Sequence, residues 1–390
     1  STSGRVLNGL KNKYTSAPAV MPDGLTWETA TTTDVGLDFG MLNNRLQFNG
    51  DYYIRKTTDM YTVGETLPDV FGASSPKGNY ADMTTKGWEI TLTWRDQFTL
   101  AEKPFNYEIR GTLSDYISTI DRYNNQTGNL DDYYAGKRVG EIWGYETDRL
   151  FQYEDCYQDA DGKWFIDTNK VPSQALYETG AFKYGPGDVK YKDLDGNGEI
   201  TYGEQTLEDH GDLKRIGNTL PNFEYGFSVA LTYKDFDFST FFQGIGSRDV
   251  WAVGQTGIPG FMPGEGWLEH QMDYWTPENT DAFYPTPTSH SWINNGQNFL
   301  RQTRYLQNMS YLRCKNITLG YTVPEKWMKV ITFTSGRIYV SAENLFEFDH
   351  TNIPVDPETT EKAAASNGEY KFGKSYPFMR SISFGVQLTF

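Results

Sequence analysis

Asp193-Leu194-Asp195-Gly196-Asn197-Gly198-Glu199-Ile200-Thr201-Tyr202-Gly203-Glu204 has the residue types and spacing of a metal site. Asp193, Asp195 and Asn197 offer three side-chain oxygens at alternate positions, Gly198 permits a sharp turn, and Glu199 offers its backbone carbonyl. Glu204 at the twelfth position supplies a bidentate carboxylate, which completes the pattern of an EF-hand calcium loop. Ca²⁺ suits it because the ion takes six to eight hard oxygen ligands in flexible geometry. The expectation is a structural calcium ion clamping a loop. The same residues also suit an Asp/Gly-rich turn with no ion, since no amphipathic helix flanks them. A second acidic turn, Asp159-Ala160-Asp161-Gly162, lacks the later ligands and reads as a hairpin turn.

Other chemistry is sparse. The sequence has no His-Glu-x-x-His, Gly-x-Ser-x-Gly or phosphate-loop motif, and His210, His270, His290 and His350 are scattered. Glu265/Glu269 and Glu154/Asp155 could serve a glycosidase, but loop spacing fixes no carboxylate separation. Cys156 and Cys314 fall in no metal or redox spacing. Trp251, Trp267, Tyr274, Trp275, Phe283, Tyr284 and Trp292 crowd one stretch, where they could stack on sugar rings or peptide side chains, or pack a loop against its neighbours or a lid.

The elements that hold these residues are strands. Val35/Leu37/Phe39, Leu46/Phe48/Tyr52/Ile54, Trp88/Ile90/Leu92/Trp94 and Phe105/Tyr107/Ile109/Leu113 each alternate with polar residues. So do Phe223 to Tyr233, Phe236/Phe238/Phe242, a segment near 310–322 with a bulge at Lys315-Asn316, and Ile338/Val340/Ala342. Residues 380–390 form a last alternating strand whose Phe384, Val386, Leu388 and Phe390 resemble a barrel-assembly signal. Nine or ten strands result, joined by short turns on one side and long loops, about 116–222 and 247–304, on the other. That asymmetry predicts an all-β fold, a transmembrane antiparallel barrel with its long loops outside the cell. A soluble β-sandwich gives the same period and stands as the alternative.

Composition agrees with a barrel. Aromatics make up 16% of the chain while mean hydropathy is only −0.61, as expected when lipid-facing residues are about half of each strand. No run reaches the roughly 18 apolar residues a spanning helix needs. The start, Ser1-Thr2-Ser3-Gly4-Arg5, carries no signal-peptide pattern, so the sequence reads as a mature chain or a fragment. A net charge of −16 with no concentrated basic footprint excludes nucleic acid as a partner.

Ordered motifs resemble one family across nearly all 390 residues. They include Val35-Gly36-Leu37-Asp38-Phe39-Gly40, Asp51 to Asp59, Leu67-Pro68 through Gly72-Ala73-Ser74-Ser75-Pro76 to Trp88-Glu89, and Pro186-Gly187-Asp188 ahead of the acidic loop. Phe236-Asp237-Phe238-Ser239 through Gln243-Gly244, Tyr311-Leu312-Arg313 to Tyr321, and Ser341-Ala342-Glu343-Asn344-Leu345-Phe346 follow. The chain resembles the C-terminal part of a SusC/RagA-type TonB-dependent transporter of Bacteroidetes. That resemblance implies a 22-stranded outer-membrane barrel whose plug and first strands lie in an N-terminal remainder outside this row. It also implies a SusD-like surface lipoprotein as lid, coupling to the TonB complex, contact with outer-membrane lipid, and import of oligosaccharides or peptides. The alternative reading is a self-contained β-rich enzyme, a glycosidase or outer-membrane hydrolase.

Overall fold

The computed structural model describes residues 2–7, 9–15, 24–64, 75–179, 182–261, 264–287, 297–359 and 372–390. Part of the Leu67–Ser74 motif, His290 and Trp292 lie outside them. Nine strands build one wall: β1 (Thr29–Met41), β2 (Leu46–Val63), β3 (Lys77–Leu100), β4 (Lys103–Arg122), β5 (Asn222–Tyr233), β6 (Phe236–Ser247), β7 (Tyr311–Val323), β8 (Ser335–Glu343) and β9 (Ser381–Thr389). Each pairs antiparallel with the next in sequence, and Glu347–Asp349 adds a tenth short strand on β7. The wall is a single open arc, since β1 and β9 do not pair with each other, and it is not a two-sheet sandwich.

Register carries one apolar row through the whole arc. Phe39 faces Phe48, which faces Leu92; Ile90 faces Leu113; Leu231 faces Phe238, which faces Leu319; Val340 faces Phe384. Phe39, Ile90, Leu92, Leu113, Leu319 and Phe384 are exposed and the others half-buried on the outer face, where lipid, not water, is the solvent that makes exposure favourable. Aromatics gather at the turn end of this face, with Phe98–Phe105 and Phe236–Tyr321 ring centroids 5.0 and 4.8 Å apart, as an interfacial girdle should. The opposite face carries polar residues, including the Arg95–Glu108 ion pair at 2.6 Å.

The turns are tighter than the sequence suggests. Ala101 and Glu102 alone join β3 to β4, both at positive φ (46° and 64°), where about eight connecting residues are expected. A two-residue turn of this kind matches the right-handed twist of its strands. Lys234-Asp235 forms a second two-residue turn, with Lys234 alone at positive φ (56°), and the first link is Leu42 to Arg45, one residue later than the Met41 to Asn44 that the sequence suggests. The bulge also falls where the sequence places it: Phe241 pairs Asn316, Phe242 pairs Cys314, and Lys315 is the extra residue.

At the other end the strands overshoot. β3 has 24 residues and β4 has 20, whereas a barrel strand crosses lipid with about 9–11. The first loop therefore begins after Arg122, not at 116, and the link before β3 is residues 64–76.

Candidate functional site: a folded cap

Residues 123–221 and 248–310 fold together at the overshoot end. Their shared core buries Tyr145, Phe151, Tyr184, Tyr191, Ile200, Trp275, Tyr284 and Tyr305. Short two-stranded ribbons frame it, including Glu141–Tyr145 with Leu213–Asn218 and Asp249–Trp251 with Leu306–Asn308. The two long loops are stitched by buried polar side chains. Asn298 donates to Asp188 at 2.6 Å and accepts from the Val189 N–H at 2.9 Å, while Gln297 gives its carbonyl to the Tyr191 hydroxyl at 2.6 Å. Burial pushes the Asp188 carboxyl up to about 7, against the pull of its two hydrogen bonds.

The aromatic-rich stretch mostly serves this core. Trp275 and Tyr284 are 5% and 1% exposed, so neither presents a face to a ligand. Trp251, Trp267, Tyr274 and Phe283 are half-buried against the same cluster, with Trp267 edge-on to Tyr274 at 5.4 Å. They pack the loop, the second of the two readings open for them in the sequence.

A different set of residues lines open space. A cleft of about 280 Å³ has Tyr145 and Tyr177 at its floor, Trp143, Tyr202 and Leu300 on its walls, and Asn129, Gln205, Asp131 and Arg301 as polar lining. The Tyr145 and Tyr177 hydroxyls hydrogen-bond each other, and burial pushes the Tyr177 phenol up to about 12. The Trp143 indole N–H donates to Glu141 at 2.8 Å, which fixes the ring. Arg301 pairs with Asp131 at 2.8 Å at the exposed edge. Aromatic walls with a few convergent polar groups are the usual make-up of a small-molecule site. Sequence reading missed this cleft because its residues come from five separated positions.

The acidic loop adopts a compact turn. Asp193 accepts from the Gly196 and Gly198 N–H groups at 2.6 and 2.9 Å, and Asn197 accepts from the Glu199 N–H at 2.7 Å. Gly198 has φ +86°, the left-handed region in which glycine costs nothing. Carboxylate oxygens of Asp193, Asp195 and Asp212 lie within 4.8 Å of one another. Asp212 is fully buried, which raises its carboxyl above the usual range. Glu204 stands outside that group, its N–H directed to Asp209. The third carboxylate of the group is instead Asp212, eight residues after Glu204. Asp159 accepts from the Asp161 and Lys163 N–H groups in a hairpin turn, as expected. Among the described residues, Phe384, Val386 and Leu388 lie on the outer face of β9, and Phe390 follows it.

A meandering β-wall with a lipid-compatible outer face, a polar inner face and a folded cap defines a piece of an outer-membrane β-barrel. Residues 1–197 match the TonB dependent receptor-like, beta-barrel family, and the chain belongs to it. It is 28% identical to TonB-dependent receptor P3 of Formosa agariphila over 94% of its length, and 25% identical to TonB-dependent receptor SusC of Bacteroides thetaiotaomicron over 96%. It spans 35% and 33% of those relatives, about a third of their length. Two solved structures share the fold over the whole chain: the RagAB peptide transporter (TM-score 0.68, 20% identity, 38% of that chain) and the RagAB peptide importer in its closed-closed state (TM-score 0.67, 19% identity, 38% of that chain). The chain is part of a TonB-dependent receptor barrel of the outer membrane, and the relatives and neighbours it matches are receptors and importers, not hydrolases.

Proposed function

We propose that this chain supplies wall and extracellular cap to a TonB-dependent importer of oligosaccharides or oligopeptides, working with a SusD-like surface lipoprotein. The observation that carries this is the aromatic cleft in the cap, which stands on the side of the wall opposite the tight turns. Trp143 and Tyr202 offer ring faces to sugar rings or apolar side chains, while Asn129, Gln205 and Arg301 offer hydrogen bonds to hydroxyls or peptide groups. Neighbours described as peptide transporters support the peptide class, and the oligosaccharide class rests on the family resemblance of the sequence alone. Energy coupling through TonB, and a plug, would come from the remainder of the protein.

The test is purification of the complete protein from outer membranes without denaturation, with co-purifying proteins and small ligands identified by mass spectrometry. Recovery of a surface lipoprotein together with bound glycan or peptide supports the reading. Recovery of neither, alongside unimpaired growth of a deletion strain on both nutrient classes, ends it.

The acidic loop adds a calcium proposal. Asp193, Asp195, Asn197 and the Glu199 carbonyl, with Asp212 in the closing position, would hold one Ca²⁺ as a clamp on the cap. Hard carboxylate oxygens grouped around a glycine turn support that ion over softer metals.

A further inference from the structure

We propose that Lys56 and Lys86 hold the phosphate-bearing headgroup of an outer-leaflet lipid against the outside of the wall. Register fixes which way these lysines point. Tyr52 on β2 faces Trp88 on β3, and this pair tops the apolar band. The next outward-facing row up is Ile54 opposite Lys86, and the row above it is Lys56 opposite Thr84. Lys56 and Lys86 are therefore diagonal neighbours, whose Cβ atoms lie roughly 7 Å apart in such a pairing. A single phosphate can be reached by both ammonium groups.

Both lysines are exposed, and neither makes an ion pair among the described residues. On the same wall Arg45, Arg95, Arg122 and Arg337 are paired with carboxylates, whereas Arg55 and Arg110 form no ion pair among the described residues. In a chain of net charge −16, two unpaired cations side by side are conspicuous by chemistry, since acidic partners are plentiful. The two carboxylates that line the same groove are held by hydrogen bonds and not by the lysines. Asp115 accepts from the Asn222 amide at 2.6 Å, and Asp121 accepts from the Thr84 hydroxyl.

The groove itself measures about 710 Å³. Tyr52, Trp88 and Asp115 form its lowest row, Ile54, Lys86 and Ile117 the next, and Lys56, Thr84 and Thr119 the one above. An acyl chain on the apolar band below and a phosphate at the two lysines above match that order. Lysine stems lie along the isoleucines while their ammonium groups reach the headgroup level. Continuity with the lipid-facing band commits the occupant to a lipid.

The complete protein is purified from outer membranes in mild detergent and its retained lipids are counted by native mass spectrometry. Wild-type protein is expected to keep a phosphorylated lipid, and Lys56→Gln/Lys86→Gln to retain it roughly 25-fold less well, about fivefold for each lysine. Lys56→Arg/Lys86→Arg should keep it, because the charge is preserved. Heat-modifiable electrophoretic mobility confirms a folded barrel for each variant. Equal retention by the glutamine variant overturns the proposal, as does a wild-type protein that retains only phosphate-free lipid or none.

Discussion

Arg337 on β8 reaches over Gly320 on β7 to grip Asp237 on β6, with Nε to Oδ1 at 2.9 Å and Nη2 to Oδ2 at 2.5 Å. The bidentate pair thus spans three strands on the inner face, and only a residue without a side chain leaves it room: a Cβ at Gly320 would run into both partners. Gly320→Val should separate the pair and lower the temperature at which the barrel loses its folded electrophoretic mobility. Asp237→Asn and Arg337→Gln should each cost about 1 kcal/mol or less, since both side chains remain about a third exposed. A double-mutant cycle reads their coupling, and additive effects would show the contact to be idle.

Removing calcium should loosen the cap. At about millimolar calcium and a dissociation constant ten times lower, binding adds about 1.4 kcal/mol. Limited proteolysis within 193–212 should therefore accelerate in a chelator and recover with added Ca²⁺ but not Mg²⁺. Asp212→Asn should abolish that protection, whereas Glu204→Gln should leave it intact. Reversed behaviour of these two variants would restore the closing role to Glu204.

Buried and open aromatics should separate in their phenotypes. Trp275→Ala opens a hole in the cap core and should cost about 3–5 kcal/mol. Trp275→Phe should cost far less, because the indole N–H has no hydrogen-bond partner to lose. Trp143→Ala should instead leave thermal stability nearly unchanged and weaken retention of the co-purified ligand at least tenfold. Chemical denaturation and ligand recovery on the same preparations distinguish the two.

Asp188 gives the cap a pH dependence of definite sign. Its folded carboxyl titrates at about 7 against 3.8 for the free group, so the folded form binds the extra proton between those values. Cap stability is fully present below pH 3.8 as far as this group is concerned, and falls as pH rises through 7. Hydrogen exchange at the Val189 N–H, which is bonded to Asn298, should be better protected at pH 5 than at pH 8 after correction for intrinsic rates. Asp188→Asn should flatten the difference; an unchanged slope would place its origin elsewhere.

The wall was legible in the sequence where lipid dictates it. Phe39, Phe48, Leu92, Ile109 and Leu319 had to be apolar on one face and their neighbours polar, and that period gave the strands, the Lys234-Asp235 turn and the Lys315 bulge. Above the bilayer both faces of β3 and β4 meet water or protein, the period dissolves, and the strand ends at Lys77 and Arg122 become invisible. In the cap, contact rather than spacing assigns roles. Asp212 enters the acidic group through the fold, and nothing near Trp143 in sequence announces Tyr177 or Arg301. Trp275 and Tyr284 looked like ligand contacts because tertiary burial leaves no local mark.

The overshoot of β3 sets a height. Its 24 residues, at about 3.3 Å each and tilted about 40°, rise roughly 60 Å, of which the apolar band takes about 25 Å. The upper end of β3 then stands on the order of 30 Å above that band, several times the Debye length of about 8 Å at physiological salt, while the cap joins the wall lower down, where Ile120 donates to the Lys137 carbonyl and Val139 to that of Ser118. A charged solute that meets this strand end is still outside the field of the anionic surface, and it enters that field only on its way down to the cap.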